Sequence, residues 1–157
     1  MKVLITGISG TLAQPLAIAL QSAGHQVIGV SREPIRAAVG LAKAIHVISW
    51  EQLTPGFCSL QRVEAIINFA GEPMMQRWNP RTKAAILRSR LDTVRMICNL
   101  LRQIPARVRP ECFINASSVS IYSSCALPVD EFSTVRPDLA FFQSQVWFAV
   151  EQLVTEL

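Results

Sequence analysis

The stretch Val3 to Ala13, VLITGISGTLA, decides the reading of this chain. Val3, Leu4, Ile5 and Thr6 form an unbroken apolar and β-branched run, the pattern of a strand buried on both faces. Gly7 and Gly10 then punctuate a turn into an apolar, alanine-rich helix. Glycine at 7 can take backbone angles closed to other residues, and glycine at 10 leaves no Cβ between the main chain and an approaching pyrophosphate. Unbonded N–H groups at the start of the helix can face an anion, and Ala13 is the small residue needed where helix and strand pack closely. An ordinary strand-to-helix turn uses similar residues, so context has to decide. Gln26 to Val30 (QVIGV), a second strand-like run after Gly24-His25, supplies it and completes a βαβ unit of about 30 residues.

The end of the second strand discriminates between dinucleotides. An acid about 20 residues past the glycines would bond a ribose 2′-hydroxyl. Ser31 and Arg32 stand at that strand end, with Arg36 a turn further on. A guanidinium there favours a 2′-phosphate, so NADP is expected over NAD, although surface arginines after strands also occur without a ligand.

With 157 residues, 50% hydrophobic and 17% charged, the chain has the size and apolar content for one domain, expected over residues 1–157. The net charge is +4, but the arginines are dispersed and not interleaved with aromatics, which argues against a nucleic-acid surface. A basic cleft for an anionic dinucleotide accounts for part of that charge. Cys58, Cys98, Cys112 and Cys125 show no CxxC spacing, and His25 and His46 have no partner at ligand spacing. We therefore expect no metal site and free thiols in a reducing compartment. A strand starting beside Met1 leaves no room for a signal peptide, and no apolar run approaches a membrane span, so the expected setting is the cytoplasm.

Leu12 to Ala23 reads as the first helix, with Leu16, Ala19, Leu20 and Ala23 on one face and Pro15 tolerated in its first turn. Residues 33–43 are a short helix or loop opened by Pro34. Ile45 to Ser49 is a third strand, in which His46 is a core or edge residue rather than a base, and Pro55-Gly56 marks a turn. Ala65 to Ala70 is a fourth strand running into Gly71-Glu72-Pro73, at the carboxyl edge where ligands of open α/β sheets bind. The longest helix is expected from Asn79-Pro80 to about Ile104, an N-cap and N1 pair at its start and Pro105 at its end. Its apolar face is Ile86, Leu87, Leu91, Val94, Ile97, Cys98 and Leu101. Cys112 to Ala116 is a fifth strand leading into a hydroxyl cluster, Ser117, Ser118, Ser120 and Tyr122, which suits either a substrate carbonyl or a simple turn. A polar loop then reaches Asp138, and Leu139 to Leu157 reads as a last helix with Val146, Val150, Leu153 and Val154 at helical spacing.

Together these residues carry a family resemblance. TGxxGxxA at Thr6 to Ala13, VSR at Val30 to Arg32, INFAGEP at Ile67 to Pro73, RW at Arg77-Trp78, SRLDT at Ser89 to Thr93 and NASSVSIY at Asn115 to Tyr122 occur in the order found in extended short-chain dehydrogenase/reductases. The chain most resembles the N-terminal half of their sugar-nucleotide-epimerase-like subgroup. The resemblance implies an α/β fold, a three-layer Rossmann arrangement with a parallel sheet of order 3-2-1-4-5 and NADP across its carboxyl edge. It implies that Gly7, Ser9, Gly10, Thr11 and Leu12 line the pyrophosphate and that Ser31 and Arg32 hold the 2′-phosphate. Phe69, Ala70, Gly71 and Glu72 would lie by the adenosine and ribose, Arg77 would be a further contact, and Ser118 would polarise a substrate carbonyl. Asn115 replaces a residue that is often serine.

Two departures limit the analogy. Reductases of this superfamily rely on a YxxxK pair, a tyrosine acid/base beside a lysine that lowers its pKa and grips the nicotinamide ribose. Here Gln143 and Trp147 align with that pair, the single tyrosine is Tyr122, and no lysine follows Lys83. Glutamine exchanges no proton near neutral pH and indole only donates, so neither rescues the usual mechanism. The chain also ends where the sixth strand and substrate-binding part are expected, which predicts an exposed sheet edge and either self-association into a homodimer or low solubility. Two functions stay open: the cofactor half of an epimerase or oxidoreductase acting on a sugar nucleotide or small carbonyl, and a non-catalytic NADP(H)-binding or sensing module.

Overall fold

A computed structural model describes residues 1–41, 44–122 and 128–155. Five strands form one parallel sheet: β1 (Lys2–Thr6), β2 (Gln26–Val30), β3 (His46–Ile48), β4 (Ala65–Asn68) and β5 (Cys112–Asn115), in the order β3-β2-β1-β4-β5. The expected order 3-2-1-4-5 is the one observed. In register, Leu4 faces Ile28 on one side and Ile66 on the other, while Thr6 faces Val30 and Asn68.

The helices are α1 (Ala13–Ser22), α2 (Pro34–Ala38), α3 (Pro55–Gln61), α4 (Pro80–Gln103) and α5 (Phe142–Thr155), with two short 3-10 turns at Ala106–Val108 and Val119–Ile121. The chain divides into two compact units, one of residues 1–71 with 96–116, the other of 72–95 with 117–157. The first holds the whole sheet and two apolar cores, one on each face. Leu4, Ile28, Ile48 and Ile66 pack with Cys58 of α3 and with Ile97, Leu101 and Ile104. Val3, Ile5, Val27 and Ile67 pack with Ala13 and Ala17 of α1 and Ala37 of α2. Alternate side chains of each central strand feed opposite cores, which explains why these strands read as continuous apolar runs.

Some elements differ from their sequence reading. The buried face of α1 is Ala13 and Ala17, flanked by half-buried Leu16 and Leu20, whereas Ala19 and Ala23 are exposed. Pro55-Gly56 opens a helix rather than a turn: Pro55 takes N1, and the Thr54 hydroxyl caps it by accepting from the Phe57 N–H at 3.1 Å. β4 stops at Asn68, whose side chain accepts the Ala70 N–H at 3.2 Å and turns the chain out of the ladder. α4 has the expected start. Asn79 Oδ1 accepts from the Thr82 N–H at 3.0 Å, and Thr82 Oγ1 accepts from the Asn79 N–H at 2.8 Å. On its apolar face Leu87 and Leu91 are half-buried, and Leu100, absent from the expected set, is buried. His46 is exposed on β3, the edge strand. α5 starts at Phe142, later than Leu139, and buries Val146 and Val150 as expected.

Cys58 and Cys98 are buried and Cys112 is exposed, all as free thiols; Cys125 lies outside the described residues. Among the described residues no helix is long and apolar enough to cross a membrane.

Candidate functional site

The bend after β1 is built by close approach. Gly7 has φ +68°, and a Cβ there would stand 2.8 Å from the Ala70 nitrogen and 2.9 Å from Ala70 Cα. Only glycine fits both the backbone angle and the space. Ile8 is fully buried and crosses β2 at Gly29, where a Cβ would meet Ile8 Cγ1 at 2.6 Å. This anchor, together with Ile8 N–H donating to the Val30 carbonyl at 3.3 Å, fixes the bend to the sheet. The Gly10 N–H closes the turn on the Gly7 carbonyl at 2.8 Å.

Beyond the bend, the amino end of α1 is open. Leu12 is the N-cap of α1 and carries no side-chain acceptor. Among the described residues, the N–H groups of Ser9, Thr11, Leu12 and Ala13 take no hydrogen bond. Leucine is among the poorest N-caps, so these donors are left for solvent or an anion. Ser9, Thr11 and Leu12 are exposed.

At the end of β2 the same unit opens a groove of ≈ 720 Å³, lined by Ser9, Gln14, Ser31, Arg32, Glu33, Arg36 and Ala37. Ser31 is 7% exposed, its Oγ accepting from the Glu33 N–H at 3.1 Å. Arg32 and Arg36 are exposed, and Arg36 Nη1 donates to Glu33 Oε2 at 3.2 Å. The sequence reading named Ser9, Ser31, Arg32 and Arg36, and it missed Gln14 and Glu33.

A second feature had no sequence signal. A polar chain runs laterally across the carboxyl ends of β1, β4 and β5. The Thr6 hydroxyl donates to Asn68 Oδ1, Asn68 Nδ2 donates to Asn115 Oδ1 at 2.6 Å, and Asn115 Nδ2 donates to the Ala116 carbonyl at 2.8 Å. Thr6 is fully buried and Asn68 is 4% exposed. Because Asn68 Oδ1 also holds the Ala70 N–H, the chain fixes Ala70 beside Gly7. Phe69 and Ala70 are half-buried there and Gly71 is exposed.

Glu72, Arg77 and Ser118 belong to the second unit. The Glu72 N–H donates to Ser89 Oγ at 2.9 Å, and its carbonyl accepts from Arg90 Nη1 at 2.9 Å, so the SRLDT segment clamps the GEP loop. The Arg90 guanidinium lies 4.9 Å over the Trp147 ring. Burial lowers the Arg90 pKa, opposed by the Glu72 carboxylate. Arg77 is exposed, and its carbonyl accepts from Thr82 Oγ1 at 3.0 Å. Ser118 caps the second 3-10 turn, its Oγ accepting from the Ser120 N–H at 3.3 Å. Ser120 Oγ is buried without a hydrogen-bond partner. On α5, Gln143 is exposed and Trp147 half-buried. Among the described residues no three His, Cys, Asp or Glu side chains cluster as metal ligands do.

Comparison with known proteins agrees with this architecture. The epimerase family protein SDR39U1 of Bos taurus is 27% identical over 158 residues, covering 98% of this chain and 49% of its own length. YfhF, an epimerase family protein of Bacillus subtilis, is 32% identical over 127 residues, covering 79% of this chain and 40% of its own. The chain thus spans about half the length of the curated relatives it matches. The crystal structure of human SDR39U1 (isoform 2) with NADPH superposes with a TM-score of 0.76 at 28% identity, over 98% of this chain and 48% of that one. At 18% identity, UDP-glucuronic acid 4-epimerase from Bacillus cereus shares the fold, with a TM-score of 0.76 over 99% of this chain and 52% of its own. The NAD dependent epimerase/dehydratase family matches residues 3–148, nearly the whole chain, and the chain belongs to that family.

Proposed function

We propose that this chain is the NADP(H)-binding part of an extended short-chain dehydrogenase/reductase acting as a nucleoside-diphosphate-sugar epimerase or oxidoreductase. The observation that carries the reading is the uncapped amino end of α1 behind Gly7, where four unbonded N–H groups meet the helix dipole. A pyrophosphate satisfies those donors, and the absence of a Cβ at Gly7 and Gly10 keeps the main chain low enough for it to approach. In this reading Gly7, Ser9, Gly10, Thr11 and Leu12 hold the diphosphate. Ser31 and Arg32 hold a 2′-phosphate, and Phe69, Ala70 and Gly71, with Glu72 and Arg77, border the adenosine and ribose. The NADPH in the human SDR39U1 structure supports the phosphorylated dinucleotide.

A bound nicotinamide would supply or take up hydride. Ser118 is the hydroxyl we assign to polarise a substrate carbonyl: its oxygen accepts from Ser120 N–H, which leaves its own proton free to donate. The acid/base must come from outside the Gln143 and Trp147 positions, since neither side chain titrates. That substitution also favours a second reading, a module that binds NADP(H) without catalysis. The open edge of β5, with Ile114 50% exposed, supports self-association into a homodimer.

Thermal melts with NADP and NAD test the binding reading. NADP is expected to raise the melting temperature more than NAD, and Arg32→Ala to erase the difference; equal shifts or none remove Ser31 and Arg32 from the site. Hydride transfer from NADPH to sugar nucleotides or small carbonyls separates enzyme from module.

A further inference from the structure

The groove at the end of β2 contains one carboxylate between its two guanidinium groups. Glu33 follows the glycine-rich bend at about the 20-residue spacing at which an acid meets a ribose hydroxyl. Its Oε2 accepts from Arg36 Nη1 at 3.2 Å, and its N–H donates to Ser31 Oγ at 3.1 Å. The two dinucleotides differ at this point by a hydroxyl against a phosphate. A carboxylate accepts from the hydroxyl and repels the phosphate; a guanidinium does the reverse.

The pair is poised to exchange. The Arg36 and Glu33 side chains are 85% and 64% exposed, and they sit at i,i+3 on one short helix. Ion pairs of that kind are weak and cost little to break. Ser31, 7% exposed, has its lone pair engaged by the Glu33 N–H and its proton free for either ligand.

We infer that Glu33 is the residue that sets cofactor discrimination: it accepts the ribose 2′-hydroxyl of NAD(H), and as counter-charge to Arg36 it competes with the 2′-phosphate of NADP(H). The groove therefore takes both dinucleotides and favours the phosphorylated one only modestly. This rests on the dinucleotide-binding reading above.

Calorimetric titration of the wild type, Glu33→Gln and Arg36→Gln with NADP and with NAD tests it. Losing a hydrogen bond to a charged group is worth about tenfold. Glu33→Gln is thus expected to weaken NAD by about that factor while NADP binds as tightly or more so; Arg36→Gln weakens NADP and spares NAD. An unchanged NADP to NAD ratio in Glu33→Gln overturns the inference while wild-type binding leaves the pyrophosphate site standing. Equal loss of both cofactors, with a lowered melting temperature, marks Glu33 as merely structural and also overturns it. A wild type that binds neither dinucleotide overturns both readings together.

Discussion

Replacing Asn68 with alanine removes the hub that ties three strand ends together. Thr6 loses its acceptor in a fully buried site, while Ala70 N–H and Asn115 Oδ1 lose partners in half-buried ones. A buried hydroxyl left unsatisfied costs about 1–3 kcal/mol, and the two groups that can reach water about 0.5–1 kcal/mol each. The expected loss is about 2–5 kcal/mol, read as a fall of roughly 5–15 °C in melting temperature for a chain of this size. Thr6→Val should cost about 1 kcal/mol, because Asn68 Oδ1 keeps the Ala70 N–H. In the double variant no orphaned hydroxyl remains at position 6. Urea unfolding followed by circular dichroism should therefore give a double-variant loss at least about 1 kcal/mol below the sum of the singles. Additivity within about 0.5 kcal/mol would refute the reasoning, since it would mean that Thr6 and Asn68 stabilise the fold independently.

Gly7→Ala forces a Cβ to within 3 Å of the 69–70 backbone at φ +68°. It should destabilise by about 2–5 kcal/mol, from left-handed strain and overpacking together, and abolish NADPH binding as read by nicotinamide fluorescence. Thr54→Ala removes the cap of α3 and should cost about 1 kcal/mol by urea denaturation, whereas Thr54→Ser should keep most of it. Burial pushes the Cys58 thiol from 9.0 up to about 11. The unfolded chain loses that proton first, so stability should fall as pH rises between those two values, and Cys58→Ala should remove that part of the fall. At pH 8, mass-mapped iodoacetamide labelling should reach exposed Cys112 well before Cys58. Size-exclusion chromatography should show a concentration-dependent dimer through the β5 edge; a well-behaved monomer at high concentration counts against it.

Where a local rule and the tertiary structure agree, the sequence was sufficient. Gln26 to Val30 reads as a strand and is one, and the Asn79-Pro80 start of α4 follows from capping chemistry alone. The errors arise where close approach replaces hydrophobicity as the selecting force. Ala13 and Ala17 face the sheet because nothing larger fits there, so a scan for apolar bulk points to the wrong side of α1. Thr-Pro-Gly is ambiguous for a different reason: proline presets φ equally for a turn and for the first residue of a helix, and only the Thr54 cap decides between them.

The candidate site divides along the same line. Its glycines and arginines sit within a few residues of a strand end, where spacing has meaning, and they were legible. The Thr6, Asn68 and Asn115 chain joins residues 47 and 62 positions apart, a separation that no local period encodes. Glu33 was hidden by its neighbours, because an arginine on either side made the segment read as purely basic. Once the groove is seen, that carboxylate changes what the arginines imply: a site with both signs of charge selects between a hydroxyl and a phosphate by the balance of two opposing terms, so removing either sign should move the preference in a predictable direction. A purely basic groove makes a different prediction, for there only the loss of an arginine would matter, and the Glu33→Gln titration is the measurement on which the two accounts part.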